Sequence, residues 1–149
     1  MSAAARTAPK ACGIDLIETM IVDGEDKDRL AAAMRQIGEE KGRTFFIRDA
    51  GNIDACHCVV LIGAAVKPRG LDCGLCGLEN CATAAKDGVA CALSVNDLGI
   101  AVGSAAARAV GQGSAVVHAL THSLGLYFYA AAAIAYDRVG LDANDEVYA

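Results

Sequence analysis

Cys58-Val59-Val60-Leu61-Ile62 is an unbroken apolar run in which three of the five side chains are β-branched. Such a run reads as a strand buried on both faces, so helices are expected on both sides of whatever sheet contains it. Cys56-His57-Cys58 opens the run, with both sulfurs on one face because strand side chains alternate. A metal or redox pair there is weaker than a buried strand edge. Pro68-Arg69-Gly70 closes the region. Upstream, Thr44-Phe45-Phe46-Ile47-Arg48 predicts a second strand. Before it, residues 25–41 predict a helix with Asp23 as N-cap, Leu30, Met34 and Ile37 as apolar stripe, and Gly42 as C-cap. Residues 12–22, with Ile14, Ile17 and Ile21 at helical spacing, predict another. Beyond Cys91 the pattern is helical again. There Gly99, Gly103, Ala107 and Gly111 recur every four residues, a stripe suited to tight packing or to a cofactor face. No repeat or linker interrupts the chain. The expectation is one domain over 1–149 of α/β (α+β) class, with several helices packed on a small sheet.

Composition supports a folded domain. The 149 residues are 54% hydrophobic and 21% charged, with a mean hydropathy of +0.35, which excludes disorder for the bulk of the chain. Aromatic residues are only 5% and Trp is absent, so the core is expected to be built from small side chains. Thirteen basic against 18 acidic residues leave a net charge of −5. No basic stripe is present, which argues against nucleic acid and anionic membrane surfaces as partners. Met1 to Lys10 lacks the apolar run of a signal peptide. Ala109 to Tyr136 contains no Asp, Glu, Lys or Arg and has the length of a membrane span. Its Gln112, His118, Thr121, His122 and Ser123 favour a buried helix or a subunit interface instead.

Seven cysteines are an odd number, which fits a disulfide framework poorly. Four of them follow the pattern Cys-x2-Cys-x4-Cys-x9-Cys: Cys73, Cys76, Cys81 and Cys91. Gly74 and Gly77 between them supply unusual dihedrals and free amide groups. Four thiolates make the ligand set of an iron–sulfur cubane or of a tetrahedral zinc. Three cysteines on one short wrap, among Leu71, Leu75 and Leu78, favour the wider cluster; zinc and unmetallated thiols stay open. A helix over residues 78–86 would turn its positive end toward the site. Such usage points to a reducing, cytoplasmic setting.

Residues 71–81 and Asp97-Leu98-Gly99-Ile100-Ala101-Val102-Gly103-Ser104-Ala105 resemble the small prokaryotic "ferredoxin domain-containing" family of unknown function. Ala5-Arg6-Thr7-Ala8-Pro9-Lys10 and Phe45-Phe46-Ile47-Arg48-Asp49-Ala50 look like its N-terminal motifs. The wrap is also similar to the cluster loop of corrinoid iron–sulfur proteins. The resemblance implies a 4Fe-4S cluster on the four cysteines in a cytoplasmic protein. It stops near residue 110: the family's closing motif is absent, with Tyr136-Asp137-Arg138 as its remnant. A fainter similarity joins the N-terminal motif and residues 97–105 to flavin-dependent nitroreductases, which implies FMN, with Arg6 and Lys10 near its phosphate.

Three functions follow. The first is an iron–sulfur protein that transfers electrons or delivers them to a partner enzyme, an oxidoreductase component without catalytic residues of its own. The second is a nitroreductase-like flavoenzyme, and the third a structural zinc module for interactions. A redox partner protein is expected, and a homodimer could form through the small-residue helices. His118 and His122, spaced i, i+4, lack the acid and third ligand of a metal site. Cys12 reads as a small apolar residue. Asp23 to Asp28 misplaces the glycine of a calcium loop, and Gly111-Gln112-Gly113 lacks the third glycine of a dinucleotide fingerprint.

Overall fold

The structure, a computed structural model, describes residues 1–65, 67–113, 115–122 and 129–136. The central strand β2, Cys58–Ala64, lies where the apolar run predicts it. It pairs antiparallel with β1, Ile17–Asp23, through the register Ile17↔Ala64 to Asp23↔Cys58. On its other side it pairs antiparallel with β4, Tyr129–Tyr136, which in turn pairs with β3, Ala115–His122. The sheet order is β1-β2-β4-β3.

Alternation along β2 sends successive side chains to opposite faces, and each face meets its own pair of helices. Val60, Ile62 and Ala64 join Ile17 against α1, Ser2–Thr7, and α5, Ala92–Val110, through Ala5, Ala8, Leu98, Ala101, Val102 and Ala105. Val59 faces the opposite way, with Leu61 beside it. There Ala31 and Met34 of α2, Gly24–Glu40, meet Ala50 and Ile53 of α3, Thr44–Ala55. The result is a central strand covered on both faces, with alanines filling much of the core as the composition predicts. The mixed α/β class and the helices-on-small-sheet arrangement are borne out; the likeness to nitroreductases gains no support.

Helix α2 confirms the expected helix almost to its ends. Gly42 takes a left-handed φ of +60° just past it, as a helix-terminating glycine does. Gly38 is where α3 comes closest: a Cβ there would stand 2.7 Å from the Ile47 side chain.

Three expectations need correction. Residues 12–22 are not a helix: a 3-10 turn over Ala11–Gly13 leads into β1. Ile17 and Ile21 also satisfy strand alternation, and pairing with β2 resolves the ambiguity in favour of the sheet. Residues 44–48 open α3 and form no strand, because Phe46, Ala50 and Ile53 make a helical stripe that packs on α2. The uncharged stretch from Ala109 holds the end of α5, a turn, β3 and β4, where a buried helix was expected. Among the described residues no helix is long and apolar enough to cross a membrane.

Candidate functional site

Residues 67–91 leave the sheet after β2 and lead into α5, and they frame a shallow depression open to solvent. Cys73, Cys76, Cys81 and Cys91 all line it, with Arg69 and Asn80. The four cysteines picked out by spacing therefore border one depression. Cys73 is exposed, Cys76 and Cys81 are half-buried, and Cys91 is buried at 8% exposure. All seven cysteines are free thiols.

Local polar contacts shape this loop. Gly74 and Gly77 both have positive φ, +69° and +81°, and the Gly77 amide donates to the Gly74 carbonyl at 2.9 Å to close a turn. Asp72 also sits at positive φ, 45°, a region that Asp tolerates better than most side chains. Its Oδ1 accepts from the Cys81 amide at 2.6 Å, tying the start of the loop to its end. Asn80 caps the short helix α4, Cys81–Lys86: its Oδ1 accepts from the Thr83 amide at 2.8 Å and from the Thr83 hydroxyl at 3.0 Å. The helix expected from residue 78 thus begins at Cys81.

Cys91 is the N-cap of α5. Burial works against its charged form, but the amides of Ser94, Leu93 and Arg69 and the Ser94 hydroxyl outweigh it and hold the thiol below its ordinary value. Ser94 also donates to the Lys67 carbonyl at 3.0 Å, which fixes the approach to the depression.

Below the depression lies a buried ion pair. Arg69 Nη2 donates to Asp97 Oδ2 at 2.5 Å, with side chains 1% and 2% exposed. Arg69 Nη1 donates to the Ile14 carbonyl at 2.9 Å, and Asp97 Oδ1 accepts from the Ala11 amide at 2.9 Å. Arg69 Nε is buried with no hydrogen-bond partner among the described residues. This network knits residues 11–14, the loop and α5 together. Sequence reasoning missed it because its members are remote in the chain and carry no spacing signal. Asn80, by contrast, had a legible signal in the Asn-x-x-Thr start of a helix.

The remaining candidates scatter. Arg6 pairs with Asp15 at 2.6 Å, and Lys10 donates to the carbonyls of Ala5, Arg6 and Ala8 at the end of α1. The expected helix beside them, where a phosphate would sit, is absent. Asp15 is desolvated, yet the Ile17 amide with Arg6 and Lys10 holds its carboxyl below the usual value. Cys12, expected to be an apolar packing residue, is exposed at φ 57°. Cys56 ends α3, and Cys58 begins β2. Burial pushes the Cys56 thiol up despite Lys27 nearby. Gly99, Gly103 and Ala107 face outward from α5, and a Cβ on Gly99 or Gly103 would meet nothing within 4 Å. The stripe is thus not a packing seam. His118 and His122 lie on β3, their side chains outside the described residues, as are Asp137, Arg138 and residues 141–149.

Fold and site together define a mixed α/β domain with a thiol-lined depression at one end of its helix α5. Residues 76–149 match the family model of the Imm-5 like putative immunity protein. An uncharacterized protein of Archaeoglobus fulgidus is 41% identical over 114 residues, covering 70% of this chain and 61% of that protein. The chain therefore spans about three-fifths of that relative's length.

These findings correct the expected identity. The family matched over residues 76–149, which contain Cys76, Cys81 and Cys91, is described as Imm-5 like putative immunity protein, and neither match is described as a ferredoxin. The expectation of an iron–sulfur electron carrier serving a redox partner is overturned by that match, which supports neither the nitroreductase-like enzyme nor the structural zinc module. Geometry agrees with the correction for a metal-binding ferredoxin. Among the described residues no three His, Cys, Asp or Glu side chains stand close enough together to hold a metal ion.

Proposed function

We infer that this chain acts by binding and blocking a partner protein, in the manner of an immunity protein that neutralises a toxin. The observation that carries this is the match of residues 76–149 to the Imm-5 like family, which takes in α4, α5, β3 and β4. The net charge of −5 favours a partner with a cationic face, since complementary charge speeds encounter and selects the partner. Within the matched segment, α5 offers an outward surface of Gly99, Ile100, Gly103, Ala107 and Val110. Its small side chains let another backbone approach closely. Ile100 and Val110, at 39% and 61% exposure, supply apolar contact.

The purified chain, titrated calorimetrically into a panel of bacterial protein toxins, tests this function. Saturable one-to-one binding to a cationic toxin, weakening as salt rises, is expected; absence of binding to every member contradicts it. Gly103→Arg then asks whether α5 is the contact. Gly103 is open to solvent and helical, so the substitution should raise stability by up to about 1 kcal/mol through helix propensity. It should nevertheless weaken toxin binding about tenfold or more, the equivalent of roughly 1.4 kcal/mol. Unchanged affinity would remove α5 from the interface.

A further inference from the structure

β1 is an outer strand of the sheet, and among the described residues only β2 pairs with it. The Ala65 amide donates to the Leu16 carbonyl at 3.0 Å. In the antiparallel ladder, therefore, Leu16, Glu18, Met20 and Val22 turn their backbone polar groups toward β2, and Ile17, Thr19 and Ile21 turn theirs outward. Asp15 Oδ1 accepts from the Ile17 amide at 3.0 Å. No described backbone group meets those of Thr19 and Ile21. Met20 and Ile21, at 62% and 61% exposure, stand on opposite faces: Ile21 on the side of Ile17 and α5, Met20 on the side of Val22 and α2. Proteins commonly blunt such an edge with Lys, Pro, a bulge or a very short strand. β1 has none of these: it runs for seven residues in unbroken register, and its only charges are Glu18 and Asp23.

We propose that β1 is a dimer interface, on which β1 of a second copy of this chain pairs antiparallel about a two-fold axis at Met20. Met20 is the middle of the strand, so this register lets its whole length pair. Thr19 of each copy then exchanges backbone hydrogen bonds with Ile21 of the other, and these are the groups that point outward. On one face Met20 meets Met20; on the other, the Ile21 side chain packs beside Thr19. Glu18 falls opposite Val22 and Asp23 opposite Ile17, so no like charges stand directly across the new ladder. The strand is in this sense its own complement, and that is what favours a second copy over a foreign strand. One closed two-fold contact also covers both edges at once and leaves neither open to further addition.

Sedimentation equilibrium of the purified full chain should find a species of twice 15.2 kDa that dissociates on dilution. Met20→Lys sets two ammonium groups face to face and should raise the dimer Kd about tenfold or more. Leu75→Lys, at a side chain that is 65% exposed on the 67–91 loop, should leave it unchanged. Thr19→Pro deletes an outward amide and spares the ladder with β2; it should weaken the dimer while circular dichroism stays that of the folded chain. Met20→Cys reads the register itself. Facing residues at such a position, outside the hydrogen-bonded pairs, have Cα atoms about 4.5 Å apart, within disulfide range. Mild oxidation should therefore link two copies through position 20, as peptide mapping would locate. A chain that stays at 15.2 kDa at every concentration leaves the edge to a strand of another protein and overturns the proposal. So does a dimer whose Kd neither Met20→Lys nor Thr19→Pro changes, or one in which the bond at position 20 does not form.

Discussion

The α2–α3 hairpin and the loop over residues 67–91 are built by opposite means. The hairpin buries Ala31, Met34, Ala50 and Ile53 against Val59, and its ion pairs, Arg29–Asp26 and Arg35–Asp54, lie at the surface. Exposed pairs of that kind contribute little. The loop buries few apolar side chains and keeps its shape with Asp72, Asn80, two glycines and, beneath them, the Arg69–Asp97 pair. Apolar burial is tolerant of sequence, whereas a loop shaped by hydrogen bonds fixes particular atoms in place. The loop is therefore the part of the molecule able to set four thiols around one depression.

The contrast can be broken at its strongest point by Asp97→Ala, which strands the Arg69 guanidinium in a buried site. A loss of about 3–5 kcal/mol is expected from removing one partner of a buried pair, read as a fall in the urea midpoint. A loss below about 1 kcal/mol, the size of a surface pair, would show that the network does not tie the loop down. On the other side, Ile53→Ala, at 1% exposure, should cost about 2–5 kcal/mol through lost burial and a cavity. It should leave amide hydrogen exchange in the loop over residues 67–91 unchanged in the folded protein. Altered exchange there would mean that the two regions are coupled. The smallest effect is expected from Asn80→Ala, about 1 kcal/mol for a lost N-cap, with faster hydrogen exchange confined to residues 81–84; protection unchanged there would show that the cap does not hold α4.

The same contrast explains what the sequence could reveal. Strand β2, helix α2 and helix α5 were legible because periodicity and turn residues agree at each. Residues 12–22 and 44–48 were misread because local pattern is ambiguous there. Ile14, Ile17 and Ile21 suit a helix, but Ile17 and Ile21 suit a strand equally well, and only β2 as a neighbour chooses. Thr44-Phe45-Phe46-Ile47 has strand propensity, yet the stripe through Ala50 and Ile53 makes it the first turn of α3. Tertiary packing overrides local preference in both. At the site, the spacing of Cys73, Cys76, Cys81 and Cys91 picks out four residues that border one depression. It could not foretell their chemistry, because the same spacing serves a cluster, a zinc ion or free thiols. Arg69 with Asp97 was illegible, since two residues 28 positions apart announce a pairing through no local pattern.

Growth rescue tests the central claim most directly. Cells expressing a toxin that the purified chain binds should resume growth when this chain is expressed with it, and should lose that rescue with Gly103→Arg at equal protein levels. Continued arrest in the presence of folded, abundant chain would contradict an immunity role.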